Sequence, residues 1–371
     1  MKRHDVIVIG LGLMGSAAAR ELAGRGLGVL GLDQFSPPHG AGSSHGGSRI
    51  IREAYYEGPE YVPLVRRAYE LWQQLERDSG TTLLVPTGGL TIGRPDSELV
   101  TGALDSVNVH GIAHDLLTSG QVMARFPEFR LSSDMVAVYE RRAGVLLPEA
   151  CVSALLAQAL QRGADIRMGE RVLNWSATSD SVTVQTANGT ATAGSLVLAA
   201  GGWLPELAGD ADLGLWVERQ VMHWFDAAPY GAHSSQSPIP LWQLDSGRMV
   251  YSTPDFGEGS KIAFHHDGEA ATMVDVDREV RRAEVLEIEE TVAACMPGLT
   301  PTVRRSATCV YTNTENHDFL IDRHPDHSNV VIASACSGHG FKFGPAVAEL
   351  VAQLVTHEQE RPPARFATRK Q

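Results

Sequence analysis

Val6-Ile7-Val8-Ile9-Gly10-Leu11-Gly12-Leu13-Met14-Gly15, running on into Ser16-Ala17-Ala18-Ala19-Arg20-Glu21-Leu22-Ala23, decides the fold class of this chain. The stretch reads as strand, tight turn and helix. Its glycine spacing is that of a dinucleotide site: Gly10 makes the turn, Gly12 lets backbone approach a pyrophosphate, and Gly15 lets helix lie on strand. The helix start offers unpaired N–H groups to the phosphates. A second strand, Gly28-Val29-Leu30-Gly31-Leu32, ends in Asp33. An acid about 20 residues beyond the glycines is placed to accept both hydroxyls of an adenosine ribose. The expectation is an α/β chain with a Rossmann-like βαβ unit, and the motif leaves open which dinucleotide it takes.

Lys2-Arg3 before an apolar stretch imitates a secretory leader, but Asp5 and the three glycines break the pattern. No segment approaches the roughly 18 apolar residues of a membrane span. A soluble, cytoplasmic protein with no membrane partner is expected. At 371 residues the chain exceeds the roughly 250 to 300 over which a single core stops growing, so two domains are expected. A net charge of −13 repels phosphate backbones and anionic lipid and argues against a nucleic-acid partner. Cysteines 151, 295, 309 and 336 form no CxxC pair and suit a reducing compartment. No metal site is expected.

Helical spacing of Leu64, Ala68, Leu71, Trp72 and Leu75 predicts a packed helix, and a second is expected over Ala150 to Arg162. A strand should begin at Gly163-Ala164-Asp165-Ile166, a hairpin should turn at Asn188-Gly189, and Leu196 to Trp203 should be a buried strand ending in glycines. Short strands such as Met249–Ser252 and Lys261–His265 precede a charged helix expected from Asp277 to Cys295, with Asp275 to Glu290 as a solvated face. The order predicts interleaving. Residues 1–84, 146–215 and 305–371 would form the dinucleotide domain, and 85–145 with 216–304 a second α+β substrate domain on a mainly antiparallel sheet.

Chemistry concentrates in two other places. His45-Gly46-Gly47-Ser48-Arg49-Ile50-Ile51-Arg52 sets two arginines three apart among glycines, a candidate anion clamp in an acidic chain. Near the C-terminus come Cys309-Val310-Tyr311-Thr312-Asn313-Thr314, Phe319-Leu320-Ile321-Asp322 and Ser337-Gly338-His339-Gly340-Phe341-Lys342-Phe343. With Ser44 to Arg52, these segments resemble the monomeric sarcosine oxidase and N-methyltryptophan oxidase family, within the wider group of D-amino-acid-oxidase-like flavoproteins. The resemblance runs almost end to end.

The resemblance implies FAD, held covalently through a thioether on Cys309. It implies Arg52 and Lys342 as the pair for a substrate carboxylate, one a bidentate fork and the other a point charge. It also implies Lys261 beside the flavin as the oxygen-activating residue, Arg49 and His45 against the flavin, and Tyr251 and His265 around the substrate. The cofactor-binding residues it implies at the N-terminal end are Gly10, Gly12, Leu13, Met14, Gly15 and Asp33. Ser43, Ser44, His45, Arg49 and Arg52 follow, then Val172, Ala200, Gly201 and Trp203. Tyr311, Gly338, His339, Gly340, Phe341 and Lys342 complete the set with Cys309.

The implied reaction is oxidation of a secondary amino acid by a monomeric enzyme: hydride passes to flavin N5, the imine hydrolyses, and O2 becomes H2O2. Sarcosine, N-methyltryptophan, pipecolate or another cyclic imino acid, and N-carboxymethyl amino acids all fit. Gly47-Ser48 stands where the family carries aspartate and threonine, and Cys336 where it carries an apolar residue. Both differences bear on substrate identity. From other classes, a nicotinamide-dependent dehydrogenase and a non-catalytic flavin-binding subunit also fit the glycine loop.

Overall fold

A computed structural model describes residues 4–209, 211–229, 233–358 and 361–367. Lys2, Arg3 and the outermost ends of the expected first domain lie outside these. The opening stretch folds as read, with a strand His4–Ile9, a helix Leu13–Gly24 and a strand Val29–Asp33. The two strands are parallel, Val6 facing Val29 and Ile9 facing Leu32. On the other side His4–Ile9 pairs in parallel with Gly189–Leu198, which itself meets the His327–Ser334 strand. The first sheet has eight strands, and helices Leu13–Gly24, Pro148–Gln161 and Gly344–Val355 pack together over it. Residues Ala17 to Ala19 are almost wholly buried. Small side chains there let helices approach closely.

The expected helix around Leu64 spans Val62–Ser79 and ends at Gly80, whose φ of 64° suits glycine. Val65, Ala68, Leu71, Trp72 and Leu75 form its buried stripe. The Asn188-Gly189 hairpin forms between antiparallel strands, Thr186 opposite Gly189.

The second sheet has nine strands and is antiparallel except where Ile239–Gln243 runs beside Gly89–Gly93. Its longest ladder joins Trp216–Ala227 to Leu299–Asn313. The latter strand continues across residues 304 and 305, so Cys309 sits on this second sheet opposite Gln220. A third sheet of three strands carries Arg49–Ile51, which lies extended against Gly144–Leu146.

Two expectations need correcting: the strand expected over Leu196 to Trp203 runs only to Leu198 and gives way to a 3-10 turn at Gly201–Trp203, and the charged helix starts later than expected. The charged helix begins at Arg282, not Asp277. The backbone before it is occupied elsewhere: buried Arg219 donates to the carbonyls of Asp277 and Glu279 at 2.7 and 2.6 Å. Glu284 also turns inward to pair with Arg219, so this face is not wholly solvated. Among the described residues no helix is long and apolar enough to cross a membrane.

Candidate active site

One cavity runs from the glycine loop, past Cys309, to Arg52 and Lys342. At its glycine-loop end the backbone sets the shape. Gly10 has φ +86°, and a Cβ there would lie 2.6 Å from the Ala199 carbonyl oxygen. A Cβ on Gly15 would lie 1.7 Å from the Gly10 oxygen, so any larger residue lifts the helix off the turn. The N-cap Gly12 offers no side-chain cap, and Ser44 Oγ accepts from Leu13 N at 3.2 Å.

Asp33 receives the Leu11 N–H on Oδ2 at 2.7 Å and the Phe35 N–H on Oδ1 at 2.8 Å. Asp33 lines the cavity, and each of its oxygens has capacity for a further hydrogen bond, with His39 Nε2 3.8 Å from Oδ1. Leu13, Met14, Val172, Ala200, Gly201 and Trp203 wall the same end.

Arg49 holds the middle. Its Nη1 donates to Ser48 O at 2.7 Å, its Nη2 to Ser43 O at 2.5 Å, and Nη2 lies 3.9 Å from Cys309 Sγ. Ser43 Oγ in turn donates to Val310 O at 2.7 Å, tying the 43–49 loop to the Cys309 strand. His265 Nδ1 meets Tyr311 Oη at 3.3 Å, and the Tyr251 ring stands edge-on to His265 at 6.5 Å. Burial first, then His266 and the nearby cations, push His265 well below the ordinary histidine range.

Three expected residues do not line the cavity. Gly15 packs beneath the loop. His45 is partly buried behind it, with Nε2 unpartnered, and burial followed by Arg49 lowers its pKa to about 4. Lys261 is 1% exposed and donates to the carbonyls of Gly46 (3.2 Å) and Ser48. Burial above all, then Arg49, holds its amine well below the usual lysine range. Glu149 steadies this loop by accepting from Gly46 N and Gly47 N at 2.7 and 3.2 Å. Sequence reasoning missed Glu149, which lies a hundred residues away.

The far end gathers cations. Arg52, 6% exposed, places Nη2 on both oxygens of Glu57 at 2.9 and 2.7 Å and Nη1 on Ala54 O at 2.7 Å. Its guanidinium lies 4.5 Å over the Tyr55 ring and 5.0 Å from that of Tyr56. Burial opposes the Arg52 charge, and Glu57 more than restores it. Lys342, 4% exposed, donates to His339 O at 2.5 Å and Tyr55 Oη at 3.3 Å. Burial and then Arg52, against Glu57, bring its pKa down to about 7. Gly338, His339, Gly340 and Phe341 line the approach to it. Glu57 and Tyr55 were also missed, though Glu57, five residues beyond Arg52, was visible as a counter-charge.

A model of the FAD dependent oxidoreductase family matches residues 5–354. The monomeric sarcosine oxidase of Streptomyces avermitilis is 43% identical over 359 residues, 95% of this chain and 93% of that one. The N-methyl-L-tryptophan oxidase of Escherichia coli is 32% identical over 358 residues, 95% of each. Among solved structures, the open form of NikD, an unusual amino acid oxidase essential for nikkomycin biosynthesis, matches with TM-score 0.87 at 22% identity, covering 99% of this chain and 98% of that one. The L-proline dehydrogenase of P. horikoshii matches with TM-score 0.83 at 22% identity, covering 96% and 94%. These two likenesses show the fold. The family match reaches from the first strand to the last long helix, and kinship with the oxidases holds over nearly the whole length: the chain belongs to the FAD dependent oxidoreductases, and it is an oxidoreductase that uses FAD.

Proposed function

We propose that the protein oxidises a small secondary amino acid, with an N-methyl amino acid as the first candidate, and passes the electrons to O2. The observation that carries this reading is the order of groups along one cavity: glycine loop, then Cys309 beside Arg49, then Arg52 and Lys342. The residues suit FAD at two points: a cradle that a Cβ would fill at Gly10, and a helix start on the cavity whose N-cap residue, Gly12, has no side chain of its own to occupy it. Gly10, Gly12, Asp33 and Ser44 would hold the dinucleotide, and Cys309 would anchor the ring through its sulfur. When bound, FAD supplies the two-electron acceptor that takes hydride from the carbon beside nitrogen and delivers the electrons to O2 as H2O2.

The chain's own residues do the positioning. Arg52 and Lys342 bind the carboxylate and so fix which carbon faces the cofactor. Tyr251, His265 and Tyr311 line the chamber beside them. His265, disfavoured as a cation, leaves the positive charge with the clamp. Lys261 lies behind Arg49 as the group proposed to assist oxygen. The kinship with sarcosine and N-methyltryptophan oxidases supports N-methyl substrates, while cyclic imino acids and N-carboxymethyl amino acids stay within the same chemistry. A cytoplasmic monomer completes the reading.

A peroxide-coupled screen of secondary amino acids of graded size tests it. Peroxide with at least one N-methyl amino acid is expected, with formaldehyde as co-product. Absence of peroxide across the panel from a fully flavinylated preparation overturns the oxidase reading. Acid precipitation tests the anchor, since flavin colour should stay with the pellet and leave it in Cys309→Ser.

A further inference from the structure

We infer that Lys342 takes the ammonium proton of the incoming amino acid, so that one transfer charges the cation holding the carboxylate and leaves the substrate nitrogen neutral. The inference rests on the reading of Lys342 as a carboxylate-binding residue.

Secondary amino acids are zwitterions near neutral pH. With an amine pKa near that of lysine, only roughly one molecule in a thousand is neutral at pH 7. Loss of hydride from the carbon beside nitrogen needs the nitrogen lone pair, which the ammonium form lacks. Waiting for the rare neutral form would cost about a thousandfold in effective substrate, so a proton acceptor inside the cavity has a clear use.

The surroundings of Lys342 suit that task. Arg52, Tyr55 and Glu57 face it from the segment after the Arg49–Ile51 strand, His339 from its own turn, and His265 from the Ser260–His265 strand. Glu57 is the acid among them, and both its oxygens are taken by Arg52. Among the described residues Lys342 has no ion-pair partner.

Its two hydrogen bonds are fixed by tautomer. His339 Nε2 lies 2.9 Å from the His317 carbonyl oxygen, which only accepts, so Nε2 carries the hydrogen. Nδ1 is then an acceptor, and Tyr55 Oη, 2.6 Å away, must donate to it. The Tyr55 oxygen is thereby left to accept from Lys342, as His339 O does. A neutral amine satisfies both with its two N–H bonds and keeps its lone pair for the cavity it lines. Burial and Arg52 favour that neutral form, with a pKa of about 7. Tyr55 is thus a positioning residue for the acceptor.

The balance is simple. The substrate N–H bond breaks, a Lys342 N–H bond forms, and the electron pair of the broken bond remains on the substrate nitrogen. The new ammonium then faces the carboxylate beside Arg52, whose own charge is matched by Glu57. Without the transfer this end of the cavity offers the carboxylate little net positive charge.

Proton counting tests the idea. Sarcosine and its ether isostere methoxyacetate, which has no amine, are titrated at pH 8 into anaerobically reduced holoenzyme, so that neither turns over. Calorimetry in buffers of different ionisation enthalpy gives the protons exchanged. Methoxyacetate should take up about one proton, and its affinity should fall about tenfold per pH unit above about pH 7. Sarcosine, bringing its own proton, should take up about none. In Lys342→Arg, whose charge does not titrate, methoxyacetate should still bind with no uptake. Tyr55→Phe, which removes a hydrogen bond favouring the charged amine, should move the onset of uptake to lower pH.

Equal proton counts for the two ligands overturn the inference, as does undiminished uptake in Lys342→Arg. Failure of methoxyacetate to bind at all instead overturns the carboxylate-binding reading beneath it.

Discussion

At its glycine-loop end the cavity takes its shape from close backbone contacts, with Gly10 against Ala199 and, beneath the loop, Gly15 against Gly10. At its cationic end it is walled by paired side chains: Tyr55 with His339 and Lys342 with Tyr55 from distant parts of the chain, and Arg52 with Glu57 five residues on. The first region fails by steric exclusion and the second by uncompensated charge. The five changes below separate these modes, from the largest expected effect to the smallest.

Gly15→Val should act most completely. Its Cβ would have to displace the Gly10 carbonyl at 1.7 Å, which is backbone and cannot rotate away. The expected outcome is protein without bound flavin, read from the visible spectrum. Wild-type flavin content would mean that the helix can seat without a glycine.

Arg52→Ala should lower kcat/KM by at least about tenfold, since a hydrogen bond to a charged group contributes roughly 1.5–3 kcal/mol. It also leaves Glu57 buried and unpaired, a further roughly 3–5 kcal/mol against stability. Adding Glu57→Gln should restore much of the Tm and none of kcat/KM. If the double variant regains activity, the carboxylate is held elsewhere. Lys261→Met is expected to slow flavin reoxidation by O2 several-fold or more while anaerobic reduction by substrate changes little. Equal slowing of both half-reactions removes its proposed role.

The same contrast explains what was legible in the sequence. Strand, turn, helix and Asp33 lie within 30 residues, and their spacing encodes their geometry, so the α/β fold and the loop that shapes one end of the cavity could be read directly. Cys309 and Lys342 were legible only through the resemblance, because a buried thiol or lysine has no local signature. Glu149 and Tyr55 were not legible at all. They act on residues 103 and 284 positions away, separations that carry no periodicity. The start of the charged helix was misread for the same reason: Arg219, some 60 residues earlier, takes the carbonyls of Asp277 and Glu279.

Lys342 gives the charged end a pH signature. Its folded pKa of about 7 lies below the ordinary 10.5, so the unfolded chain binds this proton more tightly. The penalty is full below about pH 7 and fades as pH rises toward 10.5. Lys342→Met, measured without carboxylate ligand, should therefore raise stability most at or below pH 7. The gain should be on the order of a few kcal/mol, less about 1 kcal/mol for the donor lost by His339 O. It should vanish near pH 10. A gain that does not depend on pH would mean that packing, not charge, sets the difference.

Asp33→Asn probes the backbone-built end with the smallest change. The carboxylate accepts one N–H on each oxygen, from Leu11 and from Phe35. An asparagine can serve only one of them, because its NH2 would face the other donor. The cost is one hydrogen bond, about 1 kcal/mol, or about 2 °C in Tm for a chain of this size. The direction of selectivity matters more than the amount. The loss should appear equally at low and high salt and at pH 6 and 9, since it is a matter of donor count at a site fixed by backbone, whereas the Lys342→Met gain moves with pH. If Asp33→Asn instead gives a strongly pH-dependent change between pH 6 and 9, charge governs both ends of the cavity and the contrast between them collapses.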